Sequence, residues 1–170
     1  VKFLEKPVNI REVENKDVEA ISVICMNSFL KSVADTLSDE GVSTFSKIAS
    51  SDSFLNRMKE DNLILVAENG EEIKGVIELK EGRHVAMLFI DHEHQKKGIG
   101  RKLILSALAH ARCSTVTVSA SLSSIPAYSK FGFMCKGDIG ESAGLVYQPM
   151  EIELNKHFKM DVQKDARPLN

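Results

Sequence analysis

The chain has 170 residues, a formal net charge of −2 and 43% hydrophobic residues. These values fit one folded domain with a hydrophobic core, and they exclude a disordered chain. The charge balance gives no sign of a nucleic-acid or membrane-surface partner, and no apolar run reaches membrane-spanning length. The three cysteines show no C-x-x-C spacing, so we expect reduced thiols in a cytoplasmic protein.

The first third of the chain predicts one strand and two helical regions. The strand lies at 8–11, and the helix that begins at Asp17 buries residues spaced by three and four: Val18, Ile21, Cys25, Phe29. A less regular helical region follows at 44–59. Its serine-rich segment at 50–53 predicts a break and a new helix cap.

The middle of the chain predicts a hairpin and a buried strand. Apolar runs at 63–67 and 73–79 are separated by Asn69-Gly70, a strong hairpin signal in which both turn positions favour positive φ. The run at 85–90 is apolar on both faces, which indicates a central strand.

The last third alternates helices and strands. A helix that follows Gly98-Ile99-Gly100 and runs to about Ala111, a strand at 115–118, a short helix at 126–130 and strand material at 145–154 follow in order. This order predicts an α/β fold in which helices cover both faces of a mixed sheet. We expect one domain over residues 1–156 and a polar tail over 157–170.

The segment that carries chemistry follows the strand ending at Ile90. A polar loop leads to Gly98 and Gly100, where a helix begins. Glycines let the backbone approach a phosphate, successive N–H groups form an anion cradle, and the helix adds its N-terminal dipole. Lys96, Lys97 and Arg101 supply positive charge nearby. The segment therefore predicts a phosphate or pyrophosphate site.

Nucleotide sites of two common kinds do not match this segment. A P-loop requires G-x-x-x-x-G-K-[ST], which is absent. A dinucleotide fingerprint requires a third glycine, where Leu103 stands, and an opening βαβ unit, whereas this loop follows a hairpin. A loop whose glycines only turn the chain is the remaining structural alternative.

The loop resembles the signature of the GNAT N-acetyltransferases. Their pattern [QR]-x-x-G-x-[GA] stands here as Gln95-Lys96-Lys97-Gly98-Ile99-Gly100, and a second signature, Pro-x-Tyr-x-x-x-Gly-Phe, spans 126–133. A weaker match lies at 147–151, and the resemblance covers 8–154. The chain departs from the family pattern at His92, where proline is frequent, and at Ser119 and Ser121, where asparagine is frequent.

The resemblance implies a mostly antiparallel, twisted GNAT-like sheet and acetyl-CoA as cofactor. The implied cofactor-binding residues lie on the strand, in the loop and after the following strand: Leu88, Phe89, Ile90, Gln95, Lys96, Lys97, Gly98, Ile99, Gly100, Arg101, Ser121. It further implies that the Ile90 N–H stabilises the oxyanion and that Tyr128 protonates the leaving thiolate.

The general base is less well defined by the sequence. His84 stands where several relatives place a basic glutamate, and a histidine near its normal pKa can serve. Glu78 and Glu141 are alternatives. A metal is not expected, because the His92/His94 pair has no obvious third ligand. Cys113 and Cys135 are expected to pack in apolar surroundings rather than act as nucleophiles.

The expected function is acetyl transfer to a primary amine of a small molecule or peptide. A non-catalytic acyl-CoA-binding module is the alternative, and the length of the acyl group stays open. Acceptor choice is expected within 26–58, where Phe29, Phe45 and Phe54 either line a pocket or fill the core. The resemblance also makes a homodimer possible.

Overall fold

The computed structural model describes residues 7–95 and 98–155. Its strands are β1 Asn9–Glu12, β2 Asn62–Asn69, β3 Glu72–Lys80, β4 His84–Ile90, β5 Thr115–Ala120, β6 Met134–Cys135, β7 Gly140–Ser142 and β8 Leu145–Glu153. Its α-helices are α1 Val18–Ser32, α2 Asp39–Ile48, α3 Ser51–Arg57, α4 Ile99–Leu108 and α5 Ile125–Phe131. The predicted tail at 157–170 lies outside the described residues.

The strands form one mixed sheet with the order β1-β2-β3-β4-β5-β8-β6, and β7 pairs with β8. Neighbouring strands are antiparallel except β4 and β5, which are parallel. The predicted mixed, mostly antiparallel α/β sheet is confirmed. The short strands β6 and β7 carry too few residues for a periodic signal, and the sequence did not predict them separately.

Helices cover both faces of the sheet, as predicted. On one face α1, α2 and α3 bury a core with Phe54, Val66 and Val76 at its centre. On the other face α4 and α5 bury a second core that includes Leu103 and Val116. Within the described part of the chain, no helix combines the length and apolarity that a membrane crossing requires.

The helical spacing on α1 and the serine break are both confirmed. All four residues predicted for the buried stripe are buried: Val18, Ile21, Cys25, Phe29. Ser50 caps α3, its hydroxyl accepting a hydrogen bond from the Ser53 N–H at 3.2 Å. The predicted start of the second helical region was wrong: α2 begins at Asp39, because Ser38 caps it and its first turn is acidic.

The predicted hairpin is present, but its turn is shifted by one residue. Asn69 ends β2 and pairs with Glu72 of β3, so Gly70 and Glu71 form the two-residue loop. Of Asn69 and Gly70, only the glycine has a positive φ, at 67°. The expectation that both turn positions would adopt positive φ was therefore wrong.

A bulge in β4 positions the functional site. Glu78 of β3 pairs with Met87 and Leu79 pairs with Val85, which leaves Ala86 as an extra residue on β4. Bulges bend a strand and increase its twist. The parallel pairing of β4 with β5 ends at Val85, so the two strands diverge from the bulge onward and a wedge opens between them.

Candidate active site

A cleft of about 1060 Å³ occupies the wedge between β4 and β5. Its two ends differ in chemistry. The basic end is formed by residues of the glycine loop, α4 and α5: Gln95, Gly98, Gly100, Arg101, Lys130. The apolar end is formed by residues of α1, α2, β8 and the segment joining α1 to α2: Phe29, Val33, Leu37, Phe45, Ile48, Leu145.

The basic end is built around the N-terminus of α4. Gly98 is the N-cap residue in the left-handed conformation, with φ at 82°. The first-turn N–H groups of a helix have no intrahelical acceptors, so they are available to an anion. No acidic residue lies in this turn, and Arg101 is exposed at its edge. The arrangement fits a phosphate group.

Gly100 holds this helix start against the rest of the site. A Cβ placed on Gly100 would lie 3.6 Å from the Phe131 ring and 3.8 Å from the Ile90 side chain. The glycine therefore sits beside the end of β4 and the end of α5. This packing brings the loop, the strand edge and the tyrosine helix together.

The edge of β4 supplies backbone groups to the middle of the cleft. The Asp91 N–H donates to the Lys74 carbonyl on β3 at 2.7 Å. Hydrogen-bonding directions alternate along an antiparallel strand, so the N–H groups of Ile90 and Leu88 face away from β3 and toward the wedge. The Ile90 carbonyl accepts hydrogen bonds from Ser28 Oγ at 3.0 Å and Gln95 Nε2 at 3.4 Å, which fixes this strand end.

Tyr128 lies on α5 with its ring in the core and its edge on the cleft. The side chain is 6% exposed, and its ring packs edge-on against Phe131 and Phe133 at centroid distances of 6.3 and 5.4 Å. Burial raises the pKa of the Tyr128 hydroxyl well above its ordinary value. The hydroxyl therefore stays protonated across the neutral range and is a hydrogen-bond donor.

Ser121 follows β5 and also lines the cleft. Its hydroxyl donates to Ser124 Oγ at 2.9 Å, and Ser124 Oγ donates back to the Ser121 carbonyl at 2.8 Å. These bonds tie the end of β5 to the start of α5. Ser121 is thereby held at the wall of the cleft, and its cofactor role stays a prediction.

Three aromatic rings continue from β4 into the apolar end. Phe29 and Phe45 stack at a centroid distance of 4.0 Å with 13° between their planes, and Phe45 meets Phe89 edge-on at 5.4 Å. The Phe89 side chain thus faces α1 and α2, away from α4. Phe29 and Phe45 both fill the core and line the cleft, whereas Phe54 is fully buried and lines only the core.

The structure does not bring His84 together with the other predicted site residues. The cleft-lining part of β4 begins at Ala86, and His84 lies outside it. The His84 ring is hydrogen bonded through Nδ1 to Thr117 Oγ1 at 2.7 Å, and burial lowers its pKa. The alternatives also lie outside the cleft: Glu78 is buried against Arg57 at 2.9 Å, and Glu141 is exposed on β7.

The predicted cofactor-binding residues of the loop differ in whether they line the cleft. Gln95, Gly98, Gly100 and Arg101 line the cleft, but the Ile99 side chain is 3% exposed and packs in the core. Only the backbone of Ile99 can therefore contact a ligand. Lys96 and Lys97 lie outside the described residues. Of the histidine pair in this loop, His94 lines the cleft with its Nδ1 at 3.0 Å from Asp91 Oδ2.

The cysteine environments differ from the prediction. Cys113 and Cys135 are exposed and do not line the cleft, so the expectation that they pack in apolar surroundings was wrong. Both lie near short apolar runs whose neighbouring residues, rather than the cysteines, enter the core. Cys25 is buried, and burial raises its thiol pKa to about 12, which suits a packing residue.

Two residues of the site were missed from the sequence. Ser28 is 5% exposed within the apolar stripe of α1 and bonds the end of β4. A polar residue on an otherwise apolar helical face was the signal that could have identified it. Lys130 lines the basic end from the last turn of α5, inside the tyrosine signature itself.

Comparison with known proteins agrees with this geometry. Residues 33–154 match the family described as Acetyltransferase (GNAT) domain. A GCN5-related N-acetyltransferase from Rhodopseudomonas palustris is 23% identical, with a TM-score of 0.75 over 91% of this chain and 100% of that chain. No curated protein sequence matches the chain significantly.

Two further solved structures share the fold and hold coenzyme A or acetyl-CoA. The PaiA N-acetyltransferase from Thermoplasma acidophilum, in complex with coenzyme A, is 22% identical, with a TM-score of 0.71 over 86% of this chain and 99% of that chain. YncA from Salmonella typhimurium, a putative acetyltransferase with its cofactor acetyl-CoA, is 21% identical, with a TM-score of 0.64 over 88% and 95%. At these identities the likeness concerns the fold.

Proposed function

The chain belongs to the GNAT acetyltransferase domain family, and from that premise we propose that it is an acetyl-CoA-dependent N-acetyltransferase acting on a primary amine. The observation that carries the proposal is the composition of one cleft. A helix N-terminus suited to phosphate lies at one end, strand amides that face the wedge and a buried tyrosine lie in the middle, and an apolar recess lies at the other end.

The residues present fit acetyl-CoA. Gly98 presents the α4 N-terminus without a side chain, and no atom of the described residues lies within 4 Å of its Cβ position, its chain neighbours aside. We assign the pyrophosphate to the first-turn N–H groups of α4, with Arg101 and Lys130 supplying charge. Leu88, Ile90 and Ser121 offer hydrogen-bonding groups along the wedge toward Tyr128. The bound cofactor would supply the activated acetyl thioester.

The residues in the wedge have distinct roles in the transfer. The amine nitrogen attacks the thioester carbonyl carbon, a C–N bond forms and the C–S bond breaks. The Ile90 N–H, one of the two β4 amides facing the wedge, donates to the carbonyl oxygen as negative charge develops there. The Tyr128 hydroxyl donates its proton toward the departing sulfur. The nitrogen releases a proton to solvent and the Tyr128 oxygen takes one up from solvent, so the hydroxyl is restored and the proton balance closes.

The amine must attack in its neutral form, and the cleft favours that form without a dedicated carboxylate. Among the described residues, none that lines the cleft is an aspartate or a glutamate. An ammonium group entering an apolar recess is desolvated, and desolvation lowers the pKa of an amine. The amine therefore loses its proton to solvent on entry. We do not retain His84 as the base, because it lies outside the cleft.

The two tyrosines of the chain provide a matched test, because both line the cleft. Thiol release from acetyl-CoA is measured with saturating amine for the parent, Tyr128→Phe and Tyr147→Phe. Loss of a general acid costs at least about 100-fold in kcat, so we expect this loss in Tyr128→Phe with unchanged acetyl-CoA affinity. A larger loss in Tyr147→Phe would transfer the role to that residue.

The same assay separates the enzyme from its alternative. An acyl-CoA-binding module would bind acetyl-CoA in calorimetry and release no thiol with any amine. Binding without turnover in the parent protein would overturn the proposed activity, because a catalytic cleft must turn over at least one member of a broad amine panel.

A further inference from the structure

The apolar end of the cleft also restricts which amine can enter. We propose that the acceptor is a small monoamine with an apolar body, aromatic or branched aliphatic, and not a polycation. This inference rests on the proposed function, because it assigns the amine to the end of the cleft opposite the phosphate-binding residues.

The lining of the apolar end offers no partner for a second positive charge. Its side chains are aliphatic or aromatic, with serine, threonine and tyrosine hydroxyls between them, and no described lining residue is acidic. Among the described residues, the arginine and lysine that line the cleft, Arg101 and Lys130, lie at the basic end. A buried charge without a partner is costly, so each additional ammonium group on the acceptor would weaken binding.

The aromatic residues favour a flat or branched apolar group. Phe29 and Phe45 stack, and Phe89 meets Phe45 edge-on; all three residues line one side of the recess. Aromatic groups add favourable contacts of the same two kinds when a further ring approaches. Phe89 belongs to β4, so an acceptor resting against this group lies next to the strand edge where the thioester is placed.

The recess is bounded at its far side, which favours a small acceptor over a polypeptide segment. The Thr44 hydroxyl on α2 donates to the Ala143 carbonyl in the turn before β8 at 2.7 Å. The backbone of Gly41 on α2 packs so closely on Gly144 that a Cβ on either glycine would overlap the other. Helix and turn therefore form one continuous wall, and both contribute residues to the lining.

The preference is measured as kcat/KM for thiol release with 2-phenylethylamine, isoamylamine, spermidine, an aminoglycoside and a short peptide with a free N-terminus. Differences of a few apolar groups in such a pocket change kcat/KM by about tenfold or more. We expect the two apolar monoamines to exceed the polycations and the peptide by at least that factor.

A charge placed in the recess tests the assignment. Ile48 is 37% exposed and lines the apolar end, and Leu30 is an exposed apolar residue on α1 outside the cleft. For Ile48→Glu we expect kcat/KM to fall about tenfold for 2-phenylethylamine and to rise for spermidine. For Leu30→Glu, the matched control, kcat/KM should stay within about twofold of the parent value for both amines. Acetyl-CoA affinity is measured for both variants to verify folding.

The outcomes distinguish the two proposals. A preference for spermidine, the aminoglycoside or the peptide would overturn the acceptor class while leaving the acetyltransferase proposal intact. Equal changes in kcat/KM for Ile48→Glu and Leu30→Glu would overturn the assignment of the recess as the acceptor site. Thiol release with none of the amines would overturn the proposed function itself, and the acceptor class with it.

Discussion

The two glycines at the start of α4 should respond in opposite directions to the same substitution. Gly98 has a φ of 82°, and a Cβ there would meet no atom of the described residues within 4 Å, its chain neighbours aside. Gly100 lies within the first turn of the helix, and its Cβ would make contacts of 3.6–3.9 Å, the ordinary van der Waals range. Position 98 therefore requires glycine because of its backbone conformation. The space around Gly100 accepts a Cβ, so that position does not require glycine.

The expected changes in stability follow from the backbone conformation at each glycine. An alanine in the left-handed conformation costs about 1–2 kcal/mol, and for a domain of this size each kcal/mol corresponds to roughly 2–4 °C in Tm. Gly98→Ala should therefore lower Tm by about 2–8 °C. Gly100→Ala replaces a helical glycine and should stabilise by up to about 0.5–1 kcal/mol, raising Tm by about 1–4 °C.

Thermal unfolding followed by circular dichroism, without and with acetyl-CoA, measures both effects. Because the left-handed residue aims the first-turn N–H groups of α4, Gly98→Ala should also weaken acetyl-CoA binding. Gly100→Ala should leave the affinity within about twofold. Tm shifts of the same sign in the two variants, or a Gly98→Ala protein as stable as the parent, would refute this account of the glycine loop.

Three other substitutions test the fold and the mechanism. Arg11 lowers the pKa of buried Asp17, so the Asp17 carboxylate stabilises the fold at pH values above its unfolded-state pKa, and this stabilisation is lost as the pH falls through the folded-state pKa. Asp17→Asn should therefore lower the free energy of unfolding by about 2 kcal/mol at pH 7. In pH-dependent denaturation the variant should also lose less stability than the parent as the pH falls. Arg57→Leu leaves Glu78 buried without its partner and should cost about 3 kcal/mol in urea unfolding. His84→Gln should keep kcat/KM within about twofold, and the pH profile should follow the titration of the amine; a fall of 100-fold would restore His84 as the base.

The fold was predictable where the sequence has strong periodicity or a defined cap. The stripe on α1, the cap at Ser50 and the apolar runs of β2, β3 and β4 each depend on neighbouring residues only. The bulge at Ala86 carries no such local signal, because it is defined by the register between β3 and β4. The opening of the cleft was therefore not predictable from the sequence alone, whereas the glycine loop that lines its basic end was.

The residues of the candidate site also differ in whether the sequence alone could identify them. Gly98, Gly100 and Tyr128 belong to contiguous motifs, so the sequence identified them. His84 was selected because it begins the central strand, where several relatives place a basic glutamate. The divergence of β4 from β5 begins only after Val85 and leaves His84 outside the cleft. The apolar end combines α1, α2 and β8, which are distant in sequence, so only the structure brings these residues together.

The central claim is that the basic end of the cleft binds the phosphates of acetyl-CoA. Calorimetric titration with acetyl-CoA, with NAD and ATP as comparison ligands, tests it most directly on the parent, Arg101→Glu and Lys102→Glu. Arg101 lines the cleft, and its exposed neighbour Lys102 does not. We predict that the parent binds acetyl-CoA in preference to NAD and ATP. Arg101→Glu should weaken the affinity for acetyl-CoA by about tenfold or more, whereas the affinity of Lys102→Glu should stay within about threefold of the parent. No binding of acetyl-CoA by the parent, or equal weakening by the two charge reversals, would contradict the account.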